Sequence, residues 1–246
     1  MRTKNLYKPG GDKPFALSRT ALDSFLNCPR CFYLDRRLGV KPPSGPPFSI
    51  NSAVDHLLKK EFDHYRVLGQ PHPYMVEAGL NAIPYADPRL ESWRSNFKGV
   101  RVSHAPTGFE VFGAIDDLWI ERETGQLIVV DYKATAKDGE VSLDADWQIG
   151  YKRQMEFYQW LLRRTGFDVS HTGYFVYCNG DKAATDFGGV VRFKVLTIPY
   201  TGNDSWIESA LRQAKACLDA DETPDAHEAC SQCAYLADVK AVGLFK

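Results

Sequence analysis

The chain has 246 residues, 44% of them hydrophobic, which is enough apolar sequence to bury a sizeable core in one domain. Its formal net charge is −1, which excludes a protein drawn to nucleic acid or membranes by its overall charge, so any contact with nucleic acid must come from a local basic patch. No apolar run approaches the roughly 18 residues that cross a bilayer, and the N-terminal sequence lacks the apolar core of a signal peptide. These features predict a soluble, cytoplasmic protein.

The first third of the sequence is predicted to be mostly helical. Residues 1–16 carry several Gly and Pro residues and are expected to form a flexible arm. One helix is predicted to begin at Ser18 or Thr20, and a second to cover residues 50–68, where apolar residues recur at helical spacing. The proline-rich segment VKPPSGPPFS between them is expected to form a turn. Residues 69–98 mix proline with short helical patches.

The rest of the sequence alternates between strand-like and helix-like segments. In chain order these are predicted strands at 100–104, 108–121 and 126–133, a helix at 147–164, strands at 171–178 and 190–200, and a helix at 205–218. This order predicts an α/β fold with a central mixed β-sheet flanked by helices. The expected organisation after the arm is a single domain, 17–246, with a helical part (17–98), a core (99–220) and a cysteine-containing tail (221–246) that docks on residues 25–35.

Charged residues interrupt two predicted strands that are joined by a short turn. Asp116 and Asp117 lie in one apolar run, and Asp131 and Lys133 end the next. Because strand residues two apart share a face, Asp131 and Lys133 point the same way and Tyr132 points to the other side. Asp117 is likewise expected to point away from the other carboxylates, as a solvated strand residue.

These residues have the composition of a metal site. Asp116, Asp131 and the backbone carbonyl of Tyr132 offer the oxygen ligands that a hard divalent cation such as Mg²⁺ prefers. A single Asp-x-Lys occurs about once by chance in a chain of this length, and a salt bridge between strand-end charges is the alternative. A carboxylate inside an apolar run is costly unless it is paired or bound to metal, which favours the site.

Four of the six cysteines form two Cys-x-x-Cys pairs. The pairs are Cys28 and Cys31 in CPRC, and Cys230 and Cys233 in CSQC. Two such spacings by accident are on the order of a 1% event, and disulfides are not expected in a reducing compartment. Four thiolates can hold zinc or an iron–sulfur cluster, which the spacing alone does not separate. Cys178 and Cys217 are expected to be buried apolar residues.

The motifs GAIDDLWI, IVVDYKA and QMEFYQWLL resemble those of the RecB-type branch of the PD-(D/E)xK nuclease superfamily. The matching residues, in the order of the family pattern, are His56 in a helix, Gly113 to Asp116, Asp131 to Lys133, and Gln154 with Tyr158 on the next helix. The last two are four residues apart and therefore lie on one helix face. The resemblance covers about residues 17 to 236.

The resemblance implies a restriction-endonuclease-like core and DNA hydrolysis that depends on Mg²⁺ or Mn²⁺. The implied metal ligands are His56, Asp116, Asp131 and the backbone carbonyl of Tyr132. In the same way it implies that Lys133 aligns the attacking water, and that Gln154 and Tyr158 position the water and the DNA backbone. The implied substrate is single-stranded DNA or a DNA end, cleaved by an exonuclease.

Relatives in this branch also suggest a cofactor for the cysteines and a biological setting. The CRISPR-adaptation exonucleases and the AddB-type nucleases staple their termini with a [4Fe–4S] cluster, which is the first expectation for this chain. They use one N-terminal and three C-terminal cysteines, whereas this chain has two and two, so Zn²⁺ is the alternative. The implied setting is DNA repair, recombination or CRISPR adaptation, with protein partners in such a complex.

Basic residues next to the helix motif are the predicted DNA contacts. Lys152 and Arg153 precede the motif glutamine and are expected to bind phosphates. Trp147 and Tyr151 could stack on bases, but packing is the expected role of both. The competing function is a non-catalytic DNA-binding or scaffold protein with a zinc or iron–sulfur staple.

Overall fold

The computed structural model describes residues 3–43, 45 and 49–243. The helices are α1 (Arg19–Asn27), α2 (Pro29–Arg36), α3 (Ser49–Leu68), α4 (Pro73–Glu77), α5 (Leu90–Trp93), α6 (Ile149–Arg164), α7 (Ile207–Asp219) and α8 (Ser231–Ala241). The strands are β1 (Phe15–Ser18), β2 (Ala82–Pro84), β3 (Val100–His104), β4 (Phe109–Gly113), β5 (Asp117–Glu121), β6 (Leu127–Thr135), β7 (Thr172–Gly180) and β8 (Phe193–Thr201). Residues 44 and 46–48 of the expected proline-rich turn lie outside the described part. No described helix combines the length and the apolar composition needed to cross a bilayer.

The chain divides into two compact units. Unit 1 contains the described residues within Met1–Pro46, Val102–Phe112 and Ser205–Lys246, and unit 2 contains those within Pro47–Arg101 and Gly113–Asp204. Unit 1 therefore draws on the beginning, the middle and the end of the chain.

A mixed β-sheet organises unit 2. Among the described residues it has five strands in the order β2-β5-β6-β7-β8, of which β6 and β7 run parallel and the other neighbours run antiparallel. The parallel pair requires a crossover connection, which α6 provides. Because α3 and α6 also pack against β6, the structure confirms the predicted α/β fold with a central mixed sheet flanked by helices.

An aromatic core lies between α3 and this sheet. Leu58 and Phe62 are buried one helical turn apart on α3. The Phe62 ring stacks on Trp119 with centroids 5.5 Å apart and lies 5.7 Å from the ring of Tyr132. Burial of each such side chain contributes about 1.5–3 kcal/mol relative to exposure, so apolar packing sets the position of α3 against β5 and β6.

The predicted strand at 108–121 is instead two strands separated by residues 114–116. β4 belongs to a three-stranded sheet of the described residues, in the order β1-β4-β3, and β5 belongs to the sheet of unit 2. At the break, Ile115 donates its backbone N–H to the carbonyl of Trp93 at 3.2 Å rather than to a neighbouring strand. Gly113 allows the close packing there, because a Cβ at this position would lie 2.7 Å from the ring of Tyr158.

Tyr7 and Phe15 of the segment predicted to be a flexible arm are buried in unit 1, whereas residues 8–14 are exposed. Tyr7 is buried, donates its backbone N–H to the carbonyl of Arg36 at 2.8 Å, and meets the rings of Phe15 and Phe109 edge-on. Phe15 begins β1, which pairs in parallel with β4. The burial of three aromatic rings offsets the entropy lost in ordering this Gly- and Pro-containing segment.

Gly99 and Gly125 provide a matched test of the packing at the strand break. Both adopt positive φ, at +64° and +73°, where any residue with a Cβ is strained. A Cβ at Gly99 would lie 2.5 Å from the carbonyl oxygen of Gly113, whereas one at Gly125 meets no described heavy atom within 4 Å. We expect Gly125→Ala to lose about 1 kcal/mol of stability and Gly99→Ala to lose clearly more, measured by thermal unfolding. Equal losses would show that the Gly99–Gly113 contact is not tight.

Candidate active site

Antiparallel pairing of β5 with β6 brings the sequence-predicted carboxylates together. Asp117 pairs with Val130 at the start of β5, so Asp116, the residue before it, lies beside Asp131. Asp116 also accepts a hydrogen bond at Oδ2 from the backbone N–H of Tyr132, at 3.0 Å. This bond holds the Asp116 carboxylate at the edge of β6.

α6 supplies an amide that connects the charged residues of β6. Gln154 donates from Nε2 to Oδ1 of Asp131 at 2.6 Å and accepts at Oε1 from the Lys133 ammonium at 3.3 Å. Its Nε2 also donates to the hydroxyl of Tyr158 at 3.2 Å. Lys133 forms an ion pair with Asp131. The structure thus brings together the predicted Asp116, Asp131, Lys133, Gln154 and Tyr158.

Asp131 is a fully buried carboxylate that lies beside a second carboxylate. Its side chain is 0% exposed. Its Oδ2 forms a close ion pair with the Lys133 ammonium, and its Oδ1 accepts the hydrogen bond from Gln154. Burial raises the pKa of Asp131 to about 7, although the Lys133 ammonium pulls it down and Asp116 adds to the rise. A carboxylate oxygen in this condition fits a divalent cation with oxygen ligands.

Helix α3 contributes an acid that the sequence analysis missed. The Lys59 ammonium lies 2.8 Å from the carboxylate of Asp55 and 3.3 Å from Oδ1 of Asp116. Burial and the charge of Asp116 raise the pKa of Asp55. Asp55, Lys133 and Tyr151 line a cavity of about 300 Å³. Periodicity could not single out Asp55, because it resembles any acid that pairs with a lysine one turn along a helix.

His56 stands apart from the carboxylates in this structure. Its side chain is exposed on α3, one residue after Asp55. Within the described residues, no hydrogen bond or ion pair joins it to Asp116 or Asp131. Its role as a metal ligand stays a prediction.

Asp117 is not the solvated strand residue that the sequence analysis expected. It is 0% exposed, and its carboxylate accepts from Arg66 at 2.5 Å, from Arg94 at 2.9 Å and from the Tyr132 hydroxyl at 2.7 Å. As the alternation of strand side chains predicts, Asp117 points away from Asp131. It is buried because α3 covers that face of the sheet and contributes Arg66. A buried charge is tolerated when it is paired and hydrogen-bonded.

The predicted DNA contacts lie on and just before α6. Lys152 is partly buried, with its ammonium 6.0 Å from the ring centroid of Tyr200, and Arg153 is also partly buried. Trp147 leaves 63% of its surface exposed and touches Tyr151 edge-on, with centroids 5.4 Å apart. The Tyr151 ring in turn lies 4.4 Å from the Lys133 ammonium, so exposed aromatic surface reaches the charged cluster.

The four predicted cysteines meet in unit 1. Cys28 precedes α2 and Cys230 precedes α8 as N-cap residues, so each Cys-x-x-Cys pair spans the first turn of a helix. All four sulfurs lie within 4.8 Å of one another, with Sγ–Sγ distances of 3.8 Å for Cys28–Cys233 and 3.6 Å for both Cys31–Cys230 and Cys31–Cys233. This confirms a cysteine group that could hold a metal. The tail is also tied to α2 by a hydrogen bond from Nε of Arg30 to the carbonyl of Pro224 at 3.0 Å.

Comparison with known proteins identifies a family. A sequence model of the PD-(D/E)XK nuclease superfamily matches residues 16–237, a range that includes every candidate site residue and all four cysteines. The match is to the superfamily and does not distinguish its branches. None of the curated proteins matches the chain. One solved structure, titled "Crystal structure of SSO0001", is similar at 14% identity and a TM-score of 0.38, over 91% of this chain and 80% of that one.

Asp131 makes the stability of the metal-free protein depend on pH. Its pKa is raised to about 7 in the folded chain, from about 3.9 in an unfolded chain. Between these values the folded state holds the proton more tightly, so the free energy of unfolding falls as pH rises towards and through 7. We expect Asp131→Asn to gain stability relative to wild type between about pH 5 and about pH 8, measured by urea denaturation with a chelator present.

Asp63→Asn is the matched control for this pH dependence. Burial would raise the pKa of Asp63, but Arg94 and Arg66 lower it overall. Its contribution is therefore complete above about pH 4 and is lost only as pH falls further. Asp63→Asn should therefore lower the free energy of unfolding by the same amount at about pH 5 and at about pH 8. Parallel pH curves for wild type and Asp131→Asn would contradict the expectation.

Proposed function

Because the chain belongs to the PD-(D/E)XK nuclease superfamily, a superfamily of metal-dependent nucleases, we propose that it hydrolyses DNA phosphodiester bonds at Asp116, Asp131 and Lys133. The observation that carries the proposal is the pair of adjoining carboxylates, Asp116 and the fully buried Asp131, with Lys133 beside them. Lys59 and Lys133 each pair with one of these carboxylates, whereas a divalent cation would bind both at once.

The metal-holding residues in this proposal are the carboxylates of Asp116 and Asp131 and the backbone carbonyl of Tyr132. His56 of α3 is the further ligand that the resemblance to the RecB-type branch implies. Mg²⁺ or Mn²⁺, when bound, supplies Lewis acidity at the phosphate and lowers the pKa of a coordinated water.

Lys133 and Gln154 act on the water and the phosphate. The Lys133 ammonium, next to Asp131, can hydrogen-bond to the attacking water and stabilise the charge that develops on the phosphate. Gln154 holds Asp131 and Lys133 at once through the two ends of its amide. Tyr158 accepts a second hydrogen bond from that amide and so limits its rotation.

The proposed substrate is single-stranded DNA or a DNA end, cleaved as an exonuclease. The exposed ring of Trp147 next to Tyr151 is suited to stack on an unpaired base. Lys152 and Arg153 lie near the start of α6 and are the proposed phosphate contacts. The order of the sequence motifs supports the RecB-type branch and, with it, a role in DNA repair, recombination or CRISPR adaptation.

Lys133→Ala tests the catalytic proposal. With labelled DNA and Mg²⁺ or Mn²⁺, we expect the wild type to cleave and the variant to lose about 10²–10³-fold in rate, because the group that stabilises the developing charge is gone. Lys137→Ala removes an exposed lysine four residues further along and should keep the wild-type rate. DNA binding measured by fluorescence anisotropy should be similar in all three proteins.

Each alternative has its own outcome in this assay. Cleavage that survives Lys133→Ala would refute the mechanism. DNA binding by wild type without metal-dependent cleavage would favour the non-catalytic DNA-binding protein. Faster cleavage of duplex interiors than of single strands would refute the proposed substrate preference.

We propose that the cysteine group holds one Zn²⁺ rather than a [4Fe–4S] cluster. A tetrahedral ion with Zn–S bonds of about 2.3 Å places its sulfurs about 3.8 Å apart, and three of the six sulfur pairs lie 3.6 to 3.8 Å apart. A cubane cluster keeps its cysteine sulfurs about 6 Å apart, whereas these lie within 4.8 Å. Its role is structural, because it closes a loop between residues 199 positions apart.

Cys31→Ser tests the metal and its role. We expect the variant to lose zinc and several degrees of melting temperature but to keep metal-dependent cleavage at low temperature, because the cysteines lie in unit 1 and the charged cluster in unit 2. Cys217→Ser, which changes a cysteine outside the group, should keep one zinc per chain by elemental analysis. A brown protein that absorbs at about 400 nm and contains iron and sulfide would identify an iron–sulfur cluster instead.

A further inference from the structure

A largely buried charge network lies behind the carboxylate cluster in unit 2. It consists of two arginines, Arg66 from α3 and Arg94 after α5, and two acids, Asp63 and Asp117. The side chains of both arginines are 9% exposed and that of Asp117 is 0% exposed, whereas that of Asp63 is 45% exposed. Two positive and two negative charges compensate each other, which the three buried members require.

The two arginines make nearly the same contacts. Each donates to Oδ1 of Asp117, Arg66 at 2.5 Å and Arg94 at 2.9 Å, and each also donates to Asp63. Their remaining bonds differ. Arg66 donates to the backbone carbonyl of Tyr85 at 2.9 Å, whereas Arg94 donates from Nε to the backbone carbonyl of Asp116 at 2.9 Å.

We propose that Arg94 is a positioning residue for the metal site, because it fixes the backbone that aims the Asp116 carboxylate at Asp131. The proposal rests on the proposed function in taking this cluster as the metal site. Asp116 lies in the break before β5, outside the strand ladder, so its carbonyl depends on a partner other than a neighbouring strand. Loss of that bond frees the peptide unit to rotate and weakens the hydrogen bond from Tyr132 N–H to the carboxylate.

The guanidinium of Arg94 is itself rigidly held. Nη1 donates to both oxygens of Asp63, at 2.9 and 2.8 Å, while Nη2 and Nε bind Asp117 and Asp116. The planar guanidinium thus donates in fixed directions to three residues, Asp63, Asp116 and Asp117. A lysine ammonium on its flexible side chain does not reproduce this geometry. The Tyr132 hydroxyl, which donates to Asp117 at 2.7 Å, ties β6 to the same network.

The experiment compares Arg94→Lys with Arg66→Lys in Mn²⁺ binding, measured by calorimetry on the DNA-free protein. Both variants keep the charge and weaken the bonds to Asp117 and Asp63, so both should lose similar stability. We expect Arg94→Lys to weaken Mn²⁺ binding by about tenfold or more, as loss of a residue that orients a ligand does. Arg66→Lys should bind Mn²⁺ as wild type does. Asp131→Asn, which should abolish the binding, assigns it to this cluster.

The proposal is overturned if Arg94→Lys binds Mn²⁺ as tightly as wild type does. It is also overturned if both arginine variants weaken Mn²⁺ binding equally. Neither outcome contradicts the proposed function. Wild-type protein that binds no Mn²⁺ at Asp131 overturns both. If Arg94→Lys does not fold, Asp63→Asn is tested in its place. This substitution weakens the hydrogen bonds that hold the Arg94 guanidinium but does not alter Asp116. Unchanged Mn²⁺ affinity in Asp63→Asn also overturns the proposal.

Discussion

The structure of unit 2 depends on how two buried carboxylates on adjoining strands are compensated. Asp117 and Asp131 are both 0% exposed, and burial of a charge costs several kcal/mol unless partners replace water. Asp117 receives two guanidiniums and a phenol. Asp131 receives an amide and a lysine and lies beside the carboxylate of Asp116. The same residue type therefore belongs to a structural network at one position and to the proposed metal site at the other.

The break between β4 and β5 links these two environments. A continuous strand would satisfy the carbonyl of Asp116 through its neighbours, whereas here Arg94 does so from the side of Asp117. The carboxylate of the same residue faces the other way, towards the N–H of Tyr132. The backbone carbonyl of Asp116 is therefore bound to the arginine network, while its side-chain carboxylate lies in the charged cluster. Irregular backbone, such as this break in the strand, is common at functional sites.

The proposed nuclease residues and the cysteine group lie in different units. Unit 2 contains all the proposed nuclease residues, and unit 1 contains the four cysteines. In unit 1 the beginning and the end of the chain are tied by the cysteine group and by the hydrogen bond from Arg30 to Pro224. A metal held by these cysteines would stabilise the folded chain by binding it more tightly than the unfolded chain, and the catalytic proposal does not depend on its identity.

The sequence by itself determined the class of fold, the helices α3 and α6, the strands β5 and β6, and the two cysteine pairs, because periodicity and spacing are local properties. Strand alternation and the hairpin also indicated that Asp116, Asp131 and Lys133 would meet, and the family resemblance added Gln154 and Tyr158. Only the tertiary structure decided that Asp117 is buried, that the strand breaks before Asp116, and that Asp55 lies nearer the cluster than His56 does. Those outcomes depend on arginines and a lysine 22 to 57 residues away in sequence, whose contacts no local pattern encodes.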